Sequence, residues 1–170
     1  MSGWLSGPRD SRPLGYSAID GGGDPFGGAR VVSVSHFEPA VGMQGEALDS
    51  YRRRFGTLFV DESTRRRGGI GSVVRATNVL GEQFALKTLV MPERDERASD
   101  AEYERYGAGL KTAFRQEFEC HKAVSGLKGF PHLYGMGEVA GAPAIVMEWV
   151  CGETLAHVCD ALAVDGAGRM

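Results

Sequence analysis

The residues of this chain whose types and spacing suit chemistry fall between positions 65 and 150. Gly68, Gly69 and Gly71 lie in RRRGGIGSVV, where a glycine cluster runs into a valine-rich segment. Glycines at such a turn lack the Cβ that would hold backbone N–H groups away from an anion, so the turn could close over a phosphate. Alone the signal is weak. The chain carries 25 glycines in 170 residues, about twice the usual share of roughly 7%, and glycine-rich hairpins that bind nothing are commoner than those that bind phosphate. Arg65, Arg66 and Arg67 could clamp a phosphate or form a solvated charge run, and the charge run is the simpler reading. Lys87, in QFALKTLV, says more. Period-two alternation puts Ala85, Lys87 and Leu89 on one face of a strand and Phe84 and Leu86 on the other. Both faces are substantially apolar. The lysine therefore either meets an anion, phosphate or carboxylate, or lays its stem on the surface and lifts its amine to water.

A carboxylate is at hand. LKTAFRQEFECHKAV reads as an amphipathic helix, with Leu110, Phe114, Phe118, His121 and Val124 recurring at three- and four-residue steps. Glu117 falls on or beside that stripe. An acid there demands a cation, and Lys87 is the obvious candidate; the alternative is a flank position that reaches solvent. Glu119 groups with Thr112, Arg115, Gln116 and Lys122 on the polar side and suits a helical pair with Arg115.

The elements that must position these residues follow from pattern. TLFV reads as a strand, then comes the glycine cluster, then GSVVRAT as a second strand. NVLGE is turn chemistry, with Asn78 and Gly81 available for positive backbone angles, and QFALKTLV is a third strand. PERDERASDAEYERYGAG is dense in charge and exposed, with room for a helix of its own. Beyond the amphipathic helix, HLYGMGEV and APAIVMEWV read as two strands joined near Gly141, and TLAHVCDALAV reads as a closing helix. The expected fold is α+β: a five-stranded antiparallel sheet with one long helix. Residues 1–50 are expected to be flexible or weakly ordered, with a Gly-rich tail at the start. VVSVSHF could still make a short strand, and GEALDSYRRRF a helical turn. The folded unit is placed at 55–155, and 156–170 opens a further helix.

At this point a family resemblance can be stated. GGIGSVVRA, FALK, an inward-facing glutamate and IVMEWVCGETL, in that order, resemble the N-terminal ATP-binding lobe of eukaryotic-type serine/threonine protein kinases over about residues 57–158. The resemblance implies a role for each matched residue. Gly68 and Gly71 match the second and third glycines of the phosphate-covering loop, with Gly69 between them. Val73 covers the adenine, and Ala85 lines its pocket. Lys87 contacts the α- and β-phosphates while pairing with Glu117. Met147 is the gatekeeper, and the backbone of Glu148 and Val150 reads the adenine edge. Arg66 stands where the family has its first loop glycine. The implied cofactor is ATP with Mg, whose ligands the family carries in a second lobe, and the implied partners are a protein substrate or that second lobe.

No catalytic residue or metal ligand is identified in the chain. The base and magnesium ligands of such kinases lie on H-R-D-x-x-x-x-N and D-F-G segments, and neither occurs after Lys87. His132 lacks a following Arg-Asp, and Asp165 is followed by Gly. The chain therefore reads as a kinase lobe truncated before its catalytic loop and not competent by itself. The alternative is a non-catalytic interaction module built on a pseudokinase-like lobe.

Composition narrows the field. A net charge of −3, with basic pieces not interleaved with aromatics, argues against nucleic acid. No apolar run is long enough for a signal peptide or a membrane span. Three cysteines without CxxC spacing suit a reducing compartment, so a cytoplasmic location is expected.

Overall fold

The computed structural model describes residues 29–94, 97 and 99–152. The Gly-rich tail and the expected closing helix TLAHVCDALAV lie outside them. Eight elements follow in chain order: β1 (Arg30–Pro39), α1 (Gly45–Gly56), β2 (Thr57–Arg67), β3 (Gly71–Asn78), β4 (Gln83–Leu89), α2 (Asp100–Val124), β5 (Leu133–Val139) and β6 (Ala142–Glu148). Among the described residues the fold is α+β, with six antiparallel strands rather than five and two helices rather than one. The sheet closes into a barrel in the order β1-β2-β3-β4-β6-β5.

The sixth strand comes from the region expected to be weakly ordered. In β1, Val32, Val34 and Phe37 are buried while most of their neighbours are exposed. That pattern has one break, at a bulge between Ser35 and Glu38 in the pairing with β5. There His36 takes a positive φ of 49°, and the extra residue turns Phe37 into the core. The opposing strand makes room for it: a Cβ on Gly135 would lie 2.5 Å from the Phe37 ring and 2.5 Å from the Glu38 carbonyl oxygen. Strand β1 thus belongs to the same closed barrel as the strands that follow it.

Helix α1 plugs one mouth of the barrel. Its Phe55 is fully buried among Val32, Leu58, Val60, Val74, Phe84, Leu86 and Val146. The ring stacks on Phe37 at 5.0 Å and meets Phe84 edge-on at 5.1 Å. Arg54 lies over Phe55, Phe84 and Tyr134 and donates two hydrogen bonds of 2.8 Å to the Glu82 carboxylate. Buried Asn78 finishes this corner. Its amide donates to Glu82 at 2.7 Å, and its carbonyl accepts from the N–H groups of Leu80 and Glu82. The β3–β4 turn is therefore shaped by the Asn78 side chain from within the strand, with Gly81 alone taking the positive φ.

Helix α2 covers the outside of the barrel. It runs unbroken from Asp100, so the charged stretch before Leu110 is the first half of the same helix. Its start is set by a capping box: Ser99 accepts from the Glu102 N–H, and the Glu102 carboxylate accepts from the Ser99 N–H. Phe114 and Phe118 are fully buried against Leu89, Leu133, Met136 and Ile145. That apolar layer fixes where Glu117 can reach.

Candidate functional site

The sheet register decides which side chains share a face. Val73 pairs with Lys87, and Lys87 with Ile145. One step along, Arg75 pairs with Ala85, and Ala85 with Met147. Cross-strand partners point the same way, and residues two apart return to the same face. Val73, Ala85, Lys87 and Met147 therefore share the outer face, while Val74, Leu86 and Val146 fill the barrel. These four of the residues singled out from the sequence thus fall on one surface, at the edge of the layer under α2.

Glu117 completes the group. The Lys87 ammonium is ion-paired with the Glu117 carboxylate and lies 5.9 Å from the centre of the Phe114 ring. Lys87 retains 19% of its side-chain exposure and Glu117 42%, so the pair is open to solvent on the glutamate's side. Arg115 makes its closer bond to Glu38 of β1 at 2.9 Å, with Glu119 more distant at 3.8 Å. The expected helical pair is secondary, because the better partner sits on the strand that only the fold brings near.

The glycine turn abuts this surface. A Cβ on Gly71 would lie 2.7 Å from the Thr88 carbonyl oxygen and 3.5 Å from both the Lys87 stem and the Phe114 ring. Only glycine lets β3 pass so close to the strand that carries Lys87. The Gly68 N–H donates to the Gly71 carbonyl at 2.8 Å, and the Ile70 carbonyl accepts from Val90 at 3.2 Å. Between this turn and Tyr106 and Leu110 of α2 lies a cavity of about 210 Å³, smaller than the roughly 300–1,000 Å³ usual for small-molecule sites.

At the other end, the Glu148 N–H donates to the His132 carbonyl at 2.7 Å, and the Glu148 carboxylate accepts from the His132 N–H at 2.9 Å. This reciprocal link ends β6 next to Met147. Val150 follows it with 61% exposure, and Phe130, on the far side of the link, retains 51%.

Two members of this surface are missed from sequence alone. Ile145 lies in the Lys87 row and Leu133 opposite Met147, and both would be found by register once the strands are paired. A third, Arg66, reads from the sequence with its neighbours as a solvated charge run, but it pairs with Val73 and so sits on the same face. Its two neighbours behave differently from it. Arg65 is bound to Glu62 and donates to Ser72, while Arg67 lies opposite Ser72, whose side chain turns the other way.

Among the described residues, no cluster of His, Cys, Asp and Glu could hold a metal ion, and no helix is long and apolar enough to cross a membrane. Comparison of the chain with protein-family models, curated proteins and solved structures returns no match. The functional reading rests on these residues and on the way the fold groups them.

Proposed function

We propose that this chain provides the ATP-binding lobe of a protein resembling serine/threonine protein kinases, and that it does not complete phosphoryl transfer by itself. One observation carries the reading: Lys87 is held by Glu117 on the same outer face as Val73, Ala85 and Met147, with Gly71 pressed against the Lys87 stem. The donor set fits the ligand. An apolar strip of Val73, Ala85 and Met147 suits a purine ring, and the lysine at its edge suits the α- and β-phosphates. Glu117 orients Lys87. Gly68 and Gly69 give the turn backbone that can approach the phosphates, and the main chain of Glu148 and Val150 borders the purine edge. Mg enters with ATP. Its ligands and the catalytic base come from a second lobe, so transfer to a protein hydroxyl requires that partner surface.

A second reading, a non-catalytic interaction module, is favoured by the exposed apolar pair Phe130 and Val150 on either side of the His132–Glu148 link. One titration separates the two. Mg-ATP is added to the whole chain and to its Lys87→Ala variant, and chemical shifts or heat are followed. Saturable binding by the natural chain that is lost in the variant supports the ATP-binding lobe. Equal and negligible binding by both removes it and leaves the interaction module.

A further inference from the structure

We infer that Arg66 is a second phosphate-contacting residue of this site, a cation standing opposite Lys87 that makes the site selective for the longer polyphosphate of a nucleoside triphosphate. The inference rests on the ATP-binding reading above and adds to it a residue and a ligand preference.

The placement begins with a bulge. Asp61 and Arg66 lie five positions apart on β2, while their partners Arg75 and Val73 lie two apart on β3. An odd excess of residues inverts the in–out alternation. Without it Arg65 would face outward. With it the outward residue is Arg66, in one row with Val73 and Lys87. The bulge is pinned rather than loose. Asp61 accepts from the N–H and hydroxyl of Ser63, the Thr64 hydroxyl donates to the Asp61 carbonyl at 2.7 Å, and the Arg75 N–H donates to the Thr64 hydroxyl at 2.8 Å.

The charge balance along β2 and β3 is equally selective. Arg65 is bonded to Glu62, Arg75 to Asp61, and Arg30 of β1 to Glu62. The Arg66 guanidinium instead donates to the neighbouring Arg65 carbonyl at 3.1 Å, and no carboxylate among the described residues pairs with it. The acids of this corner are already taken up, which leaves Arg66 and Arg67 without a carboxylate among the described residues, and of the two it is Arg66 that lies on the site face.

Spacing then identifies the ligand. Adjacent strands are about 4.8 Å apart, so the Cα atoms of Arg66 and Lys87, one strand apart on either side of Val73, stand about 10 Å from each other. The two side chains flank the surface beyond Val73 towards Gly71, where a phosphate chain leaving the purine strip would lie. A single phosphate reached by Lys87 leaves Arg66 without a partner, whereas a di- or triphosphate chain extending from Lys87 meets both. A planar guanidinium is suited to two oxygens of one terminal phosphate.

The test is a titration of the whole chain with adenosine, AMP, ADP and ATP, followed by amide chemical shifts. It is run on the natural sequence and on the Arg66→Gln, Arg66→Lys and Lys87→Ala variants, with folding checked by circular dichroism. The expected result is an ATP affinity about tenfold lower in Arg66→Gln, a smaller loss for ADP, none for AMP or adenosine, and partial recovery in Arg66→Lys. Arg66→Gln binding ATP as tightly as the natural chain, while Lys87→Ala loses it, overturns the role of Arg66 and leaves the ATP-binding reading standing. Equal loss for ATP and adenosine also overturns it, because the residue would then act through the shape of the turn. No binding of any nucleotide by the natural chain overturns both.

Discussion

Two cation–carboxylate pairs stand at the two sides of the β3–β4 hairpin, and they are built to different standards. At the mouth of the barrel, Arg54 grips Glu82 through two hydrogen bonds, three aromatic rings lie under the guanidinium, and Asn78 adds a third hydrogen bond to the carboxylate. Arg54 is held above the ordinary guanidinium range, chiefly by its hydrogen bond to Glu82. Glu82 is held below the usual carboxylate range by Arg54 first and Asn78 second. On the outer face, Lys87 meets Glu117 through one ammonium–oxygen contact, with a single ring nearby. A compact ammonium on a flexible stem keeps two further donor positions that it can turn to a ligand, whereas the planar fork is fixed in place by its two-point grip on the carboxylate. The first pair closes a structure. The second keeps donor capacity in reserve, as the proposed nucleotide site would require.

The most severe way to break this comparison is at the plug itself. Phe55→Ala empties the ring cluster under α1 and is expected to cost about 3–5 kcal/mol, a large part of the roughly 5–15 kcal/mol that stabilises an ordinary domain. Urea denaturation followed by fluorescence reads this directly, and a loss below about 1 kcal/mol would mean that α1 is not integral to the barrel. Next in size is a paired measurement. Arg54→Ala leaves Glu82 and the aromatic faces uncovered and is expected to cost about 1–2 kcal/mol. Lys87→Ala removes a partly exposed pair and should stay within about 1 kcal/mol, while removing ATP binding. If Lys87→Ala destabilises as much as Arg54→Ala, Lys87 is a structural residue and the contrast between the two pairs fails.

The sequence shows these two regions unequally, for a physical reason. Lys87 and Glu117 are each legible from local periodicity, period two in QFALKTLV and period 3.6 in LKTAFRQEFECHKAV, because each element's own face is half buried. The barrel mouth depends on pairings that local pattern does not contain. Ser35 of β1 reaches the carbonyl of Glu138, 103 positions away, and the bulge at His36 breaks the alternation that would have marked β1 as a full strand. In α1, three arginines in YRRRF suggest a solvated turn, and the burial of Phe55 becomes visible only when Phe37 and Phe84 are brought around it. The start of α2 did carry a local signal, Ser99 followed by Glu102, but it is embedded in charge that reads equally well as exposed loop. The same non-locality hides Arg66: its face is set by a bulge of β2, and RRR by itself does not say which arginine turns outward.

Acid provides a gentler test of the barrel mouth. Glu82 titrates below its usual value in the fold, so the unfolded chain takes up its proton first as pH falls. Its stabilising contribution is present in full above the unfolded carboxylate value, about 4.3, and is lost as pH drops through the lowered folded value. Glu62, held low chiefly by Arg65, and Asp61, held low chiefly by Ser63 and then Arg75, act in the same direction. Denaturation midpoints measured between pH 6 and 3 should therefore fall with acid, and Glu82→Gln should flatten that fall while starting from a lower value. A parallel slope in the variant would show that Glu82 is not among the groups responsible.

The smallest expected effect belongs to the helix side of the site and discriminates most finely between holding and binding. Glu117→Gln keeps the shape of the side chain and removes its charge. Because Glu117 is substantially exposed, the change in global stability should stay within about 0.5 kcal/mol. Phe114 and Phe118 still seat α2 on the barrel. What changes is the orientation of the Lys87 ammonium, which loses its one carboxylate and can swing towards water. ATP affinity should therefore fall by less than in Lys87→Ala, with adenosine binding unchanged, and hydrogen exchange should rise in the middle of α2 more than in β4. Should Glu117→Gln bind ATP more tightly than the natural chain, the glutamate would be competing with the phosphates for Lys87 rather than presenting it to them. The pair would then be a closed state of the site that nucleotide has to open.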